Sequence, residues 1–270
     1  MVIVHITAPD VRARCQATAG LLSRQDDRVP LPSRPVPAAV RPTDRARGEA
    51  VRARLVVVLA VTSGATDAIG FLALGSAFTS VMTGNMVLLG VGAADRDTAL
   101  LLSCAVAIVT FMAGAAIGAR VAGSPAPGDE VWPRPVTHAL VTEAALFAVF
   151  AVGWFALDDE ARQAWLLPFL GLNAAALGLQ SSAIQRFGIS GLSTTYLTGT
   201  LTTVVIRLST GKGLREVRHS LAILAGLIVG AALGTLLVIG ALDAVPSIQL
   251  GTLAVVLVVA ASSRHLRHPA

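Results

Sequence analysis

Charge is what this chain has least of. Only 14% of its 270 residues are Asp, Glu, Lys or Arg, against about 25% in ordinary soluble domains. A large soluble core is excluded on that ground, because its helices would need polar faces, and from Leu55 onward these are largely missing. Aromatic residues are also sparse, at 4%, so membrane-interface belts would be thin. Trp132, Trp154 and Trp165 all fall near the ends of apolar segments and read as interfacial anchors. The two cysteines, Cys15 and Cys104, are too few and too far apart for a disulfide framework or a metal cluster, and read as inert thiols. No nucleophile motif or phosphate loop occurs. His5, His138, His219, His265 and His268 lie in tails or at segment edges, without the spacing of zinc ligands. The chain is therefore expected not to be an enzyme, and to use no metal and no cofactor. Its basic balance, with a pI near 10.5, has no aromatic or motif context that would make nucleic acid a partner.

What is present is apolar sequence in long runs. Hydrophobic residues make up 54% of the chain, and the mean hydropathy is +0.72. The runs occupy 55–74, 77–93, 98–122, 136–157, 163–186, 190–208, 217–241 and 246–263. A helix needs about 20 apolar residues to cross hydrocarbon. Six of the runs meet that length; the second and sixth are short and interrupted. The fold class predicted is an all-α integral membrane protein whose main partner is the lipid bilayer.

The short runs carry a repeat. Met82-Thr83-Gly84 returns 115 positions later as Leu197-Thr198-Gly199, and Ala68-Ile69 returns as Ala183-Ile184 at the same offset. Gly114-Ala115-Ala116-Ile117-Gly118 is matched by Gly230-Ala231-Ala232-Leu233-Gly234 with one residue inserted. An internal duplication follows, with residues 51–157 as the first repeat and 158–263 as the second. Residues 1–50, with five prolines between Pro30 and Pro42 and scattered arginines, read as a disordered cytoplasmic tail, and 264–270 as a short cytoplasmic tail. An amphipathic surface helix over Val11–Leu22 is the alternative within the first. Paired broken segments at matching places are the pattern of transporters, where discontinuous helices meet near the midplane.

Basic residues give the topology. If the two short segments enter and leave on one side, fourteen Lys and Arg fall on the cytoplasmic side, against Arg96 and Arg162 outside; if they cross, the ratio is thirteen to three. Either way both termini are cytoplasmic. The reading adopted is six membrane-crossing helices plus two short broken or re-entrant segments; the alternative is eight crossings.

Few residues here could carry chemistry. Asp67 lies within the first apolar run, where a carboxylate costs about 2.5–3.5 kcal/mol on insertion scales. It reads as a coupling carboxylate for proton-linked transport, or as a structural carboxylate bonded to neighbouring hydroxyls. On the coupling reading, Asp67→Asn loses pH-dependent uptake and keeps its fold. Glu143, two turns into the fourth run, either shares that interior or lies shallow enough to reach headgroups. Thr83-Gly84-Asn85 and Thr198-Gly199-Thr200 form the central constellation: glycine permits an unwound backbone whose freed amides, with the side-chain donors and acceptors, could hold an ion or polar solute. The other reading is tight packing, with Thr bonded to its own helix. Gly114 and Gly118, and Gly226, Gly230 and Gly234, place small residues on one helix face and read as helix-packing positions.

The stretches Gly64-Ala65-Thr66-Asp67-Ala68, Phe78 through Asn85, Gly178-Leu179-Gln180 and Thr194 through Gly199 resemble the hallmarks of the YoaK-type family, bacterial multi-pass membrane proteins classed as a domain of unknown function. The resemblance covers roughly residues 55–263. It implies Asp67, Thr83, Gly84, Asn85, Gln180, Thr198 and Gly199 as pattern positions, and a location in the bacterial inner membrane; where the family often has Asn after the Gln, this chain has Ser181. The function expected is a secondary transporter or facilitator of a small solute or ion, its site at the interface of the two Thr-Gly segments. The alternatives are a channel-like facilitator and a non-transporting scaffold or assembly protein that forms homo-oligomers through its glycine faces.

Overall fold

A computed structural model describes residues 42–126, 128–187, 197–211, 213–263 and 266. Most of the N-terminal tail with its Val11–Leu22 segment, the start of the sixth apolar run, and most of 264–270 lie outside the described residues. The elements are α1 (Pro42–Ile69) continued by a π-helical turn (Gly70–Gly75), α2 (Met82–Asp95), α3 (Thr98–Ala122) and α4 (Arg134–Ala156). There follow α5 (Asp159–Gln185), α6 (Leu197–Ser209), α7 (Leu214–Gly240), a 3-10 turn (Leu242–Ala244) and α8 (Val245–Ser262). No strand occurs among the described residues. Six helical segments are long and apolar enough to cross a membrane, namely α1 with its π turn, α3, α4, α5, α7, and α8 with its 3-10 turn. The chain is an all-α, multi-pass membrane protein.

Local chemistry sets several boundaries. Asp97 caps α3 by accepting from the amides of Ala99 and Leu100, both at 3.0 Å, and Asp158 caps α5 by accepting from Ala161 at 2.8 Å. Proline stands in the first turns of α4 and α8, where its missing N–H costs nothing. The tail boundary drawn at residue 50 needs correction, because α1 already begins at Pro42. Asp44 lies in its first turn, and Arg45 and Glu49 pair at 3.2 Å one turn apart. At 28 residues, α1 reaches about 42 Å, beyond a hydrocarbon core of about 30 Å.

Helices α1 and α7 pack closely along their length, as do α3 and α5. Glycine makes both crossings. A Cβ at Gly114 would overlap the carbonyl oxygen of Ala175, one at Gly178 that of Phe111, one at Gly64 that of Leu227, and one at Gly230 that of Val61. At Gly118 and Gly234 the nearest backbone atoms would stand 2.9 Å and 2.6 Å away, and at Gly226 3.0 Å. Backbones this close are what small residues allow between membrane helices. Around these pairs, α1 packs on α8, α8 on α4, α4 on α5 and α5 on α1, which closes a ring of four helices.

The tryptophans also depart from the sequence reading. Trp154 and Trp132 are buried, and only Trp165 is exposed. Trp154 donates to the Leu242 carbonyl at 3.2 Å and packs at a tilt against the rings of Phe150 and Phe169, while Trp132 donates to Thr137 Oγ1 at 3.0 Å. Protein acceptors satisfy both indoles, so neither needs an interface.

Candidate functional site

Two polar constellations lie within the apolar segments. The first is built around the chain reversal after α1. Ser76, at φ 58°, turns the backbone where the π turn ends. Residues 76–81 then fold back, so that Thr79 and Ser80 reach Asp67, which lies in the last turn of α1, before the π turn. The carboxylate takes four bonds: Oδ1 accepts from the amides of Thr79 (2.8 Å) and Ser80 (2.7 Å) and from Thr79 Oγ1 (3.0 Å), and Oδ2 from Ser80 Oγ (2.6 Å). Asn85, in the first turn of α2, grips the same loop from the other side, accepting from the Phe78 amide at 2.8 Å and donating to the Phe78 carbonyl at 2.6 Å. Asp67 and Asn85 together satisfy a stretch of non-helical backbone at membrane depth, which lipid could not. From there α2 runs back beside α3, with Gly92 against Leu101, and a turn through Arg96 (φ 59°) joins the two. At 14 residues, about 21 Å, α2 is shorter than a hydrocarbon core of about 30 Å.

The loop also borders a mostly apolar cavity of about 310 Å³ between α1 and α7, lined by Asp67, Phe71, Phe78, Leu227, Ala231 and Thr235 among others. Asn85→Ala would leave the partly buried Phe78 backbone groups without their side-chain partner, at up to about 1–3 kcal/mol each. The expected result is a melting temperature in detergent well below that of the unaltered protein, read by fluorescence-detected gel filtration.

The second constellation runs up the middle of the four-helix ring. Gln180 of α5 donates through Nε2 to Ser63 Oγ at 2.7 Å and to the Leu59 carbonyl at 3.3 Å on α1. Thr62 of α1 and Thr252 of α8 have their hydroxyl oxygens 2.7 Å apart. Gln249 of α8 donates to Asn173 Oδ1 on α5 at 2.5 Å and to Thr66 Oγ1 on α1 at 3.3 Å, and Asn173 donates to the Phe169 carbonyl at 2.8 Å. Apart from the partly covered Thr252, all these polar side chains are buried. Glu143 of α4 is fully buried as well, and neither of its carboxylate oxygens has a hydrogen-bond partner.

The residues singled out from sequence are thus divided. Asp67 and Asn85 are brought together at the loop, and Gln180 joins the central column. Thr83 is exposed, and Gly84 lies against the Phe78 ring. On α6, Thr198 and Gly199 are exposed and their carbonyls accept from Thr202 and Thr203, while Thr200 is buried. The expected meeting of the two Thr-Gly segments is corrected here: α2 lies on α3 and α6 on α7, and the two are not a packed pair among the described residues. Each is tied by a short turn to the helix that follows it, which holds it on the outer side of the α3–α5 or α1–α7 crossing. Asn173, Gln249, Thr252 and Thr66 were missed. The available signal was spacing: Asn173 and Gln180 stand seven residues apart on α5, one stripe of a helix, in a segment otherwise apolar.

Comparison with known proteins gives a family. The family model described as "Protein of unknown function (DUF1275)" matches residues 55–261. The UPF0700 transmembrane protein YoaK of Bacillus subtilis (strain 168) is 34% identical over 156 residues, spanning 58% of this chain and 67% of that protein. No solved structure matches.

Proposed function

Starting from the premise that this chain belongs to the DUF1275 family of membrane proteins, whose description names no activity, we propose that it is a secondary transporter or facilitator of a small solute or ion. The observation that carries this reading is the column of Ser63, Thr66, Asn173, Gln180 and Gln249 in the core of the four-helix ring. Polar side chains inside a membrane are costly, and they mark substrate and ion pathways. The site in this reading is the column, and the Thr-Gly segments flank it. No covalent chemistry is involved.

Internal duplication is part of the same proposal. Its support is an exchange of partners between the halves: α1 of the first packs on α7 of the second, and α5 of the second packs on α3 of the first. The ring then combines α1 and α4 with their counterparts α5 and α8, and the column lies between repeats, where transporter sites occur. Both termini are assigned to the cytoplasm on the basic-residue balance.

The test uses the purified full chain in proteoliposomes given gradients of Na+, K+, acetate or glycerol. Flux above protein-free vesicles is expected for at least one, and its loss in the double variant Gln180→Leu, Gln249→Leu. Folded protein that passes none of the four would reject this reading in favour of a scaffold.

A further inference from the structure

Glu143 belongs to none of the constellations described, and neither of its carboxylate oxygens has a partner among the described residues. It lies in the buried stripe of α4 that runs Val136, Leu140, Glu143, Phe147, Phe150 and Trp154. Its neighbours in that stripe, Leu140 and Phe147, belong to one apolar cluster with Ala176 and Leu177 of α5 and with Leu253 and Val256 of α8. Depth follows from two fixed contacts. Gly153 of α4 faces the Phe169 ring of α5, where an added Cβ would stand 2.7 Å from it. Counting about ten residues along each of these antiparallel helices, at about 1.5 Å per residue, brings Glu143 level with Leu179 and Gln180. The Trp154 bond to the Leu242 carbonyl, followed the same way, brings it level with Leu253. The carboxyl therefore stands at the depth of the Gln180 end of the polar column.

The balance of donors and acceptors at this depth is one-sided. Five buried side-chain atoms on the four helices of the ring have no partner among the described residues: Glu143 Oε1 and Oε2, Gln180 Oε1, Gln249 Oε1 and Arg162 Nε. The first four are acceptors; Arg162 stands eighteen residues before Gln180 on α5, at its other end, with its guanidinium bonded to Asp159 and to the Leu157 carbonyl. No cationic side chain is available at this depth: the buried positions of α5 and α8 carry no charged residue, the titratable group on the buried face of α3 is Cys104, and the buried Arg52 of α1, seven residues before Leu59, donates to the Val131 carbonyl. An anion there would have neither a counter-charge nor a donor. One hydrogen on the carboxyl removes the charge and turns an acceptor into a donor. Asp67 is the contrasting case, a carboxylate served by four donors.

We propose that Glu143 is a proton-binding site at the core of the four-helix ring, held as the neutral acid while the ring is closed and able to release its proton where water reaches it. The ligand is a proton, bound to one carboxylate oxygen by an ordinary O–H bond, with no other species consumed. The site's use as the coupling element rests on the transport reading; its existence does not.

Infrared spectroscopy of the reconstituted full chain reads the site directly. At neutral pH the spectrum is expected to show the C=O stretch of a neutral carboxylic acid that is slow to exchange in D2O. Because Glu143 is the one buried glutamate among the described residues, carbon-13 labelling of glutamate is expected to shift that band, and labelling of aspartate to leave it unmoved. The isotope experiment needs no substitution, so it stands even if a variant fails to fold; in Glu143→Gln the band is expected to vanish. Absence of the band, a band that moves only with labelled aspartate, or its loss on adding Na+ would each overturn the proposal. The two readings fail separately: the band without flux removes transport and keeps the site, while flux without the band removes the site and keeps transport.

Discussion

Gly230→Leu is expected to leave almost no folded protein in the membrane. A Cβ at Gly230 would already overlap the carbonyl oxygen of Val61, with the Cα of that residue 2.9 Å away. Those are backbone atoms of α1, so no rotamer change relieves the overlap; α1 and α7 must move apart. Overpacking commonly costs about 1–3 kcal/mol where side chains can yield. Here a rigid backbone is displaced along a crossing that Gly226 and Gly234 share, and a loss of about 4 kcal/mol or more is expected. Gly114→Leu, against Ala175 on the α3–α5 crossing, should behave alike. The measurement is the yield of monodisperse protein and its melting temperature in detergent. Gly251→Ala is the control: it lies inside α8 with nothing within 4 Å of a built Cβ, and should gain about 0.5–1 kcal/mol from helix propensity. A Gly230→Leu protein as stable as that control would disprove the close crossing.

The second large effect is expected at Asp67. Removing its carboxylate in Asp67→Ala strands the amides of Thr79 and Ser80 and both hydroxyls, all buried. Each buried donor without an acceptor costs about 1–3 kcal/mol, so a total on the order of 4 kcal/mol is expected even if the hydroxyls find new partners. Asp67→Asn should fall between, because one amide oxygen still accepts while the NH2 faces Ser80 Oγ. The sequence reading that made Asp67 a coupling carboxylate gave Asp67→Asn normal folding and lost coupling. The geometry gives it reduced stability instead, with the loop 76–81 as the part that loosens. Hydrogen exchange at the Thr79 and Ser80 amides, slow in the unaltered chain and fast in the variant, is the direct check. Equal protection in both would show that the loop does not depend on this carboxylate.

These two cases also show why the segments were legible and their roles were not. The apolar run 98–122 is α3 residue for residue, and the other long runs fall within a few residues of their helices except at α1, because the length a bilayer demands and the caps that end a helix are local properties. Asp67 could be placed on a helix by its neighbours, but its donors come from residues twelve and thirteen positions on, beyond a loop whose path depends on α3 and α5. Thr83 and Thr198 repeat faithfully, yet a repeat says that two segments have the same surroundings and nothing about whether they touch. Gln180 was found as a pattern residue, whereas its partners Ser63 and Leu59 could be known only from the packing of α5 on α1.

By itself the chain determined its solvent, its helical class, the number of long spans and the short segments between them, since each depends on counts of apolar residues along a continuous stretch. Tertiary structure decided which glycine stripe meets which helix, that two tryptophans turn inward, that Asp67 holds a loop, and that Glu143 stands at the level of Gln180 without a donor. The reason is physical. Desolvation in a bilayer acts on each residue through its own transfer energy and can be summed along the sequence, while hydrogen-bond partners and close helix crossings depend on atoms brought from distant parts of the chain, which only the packed helices bring together.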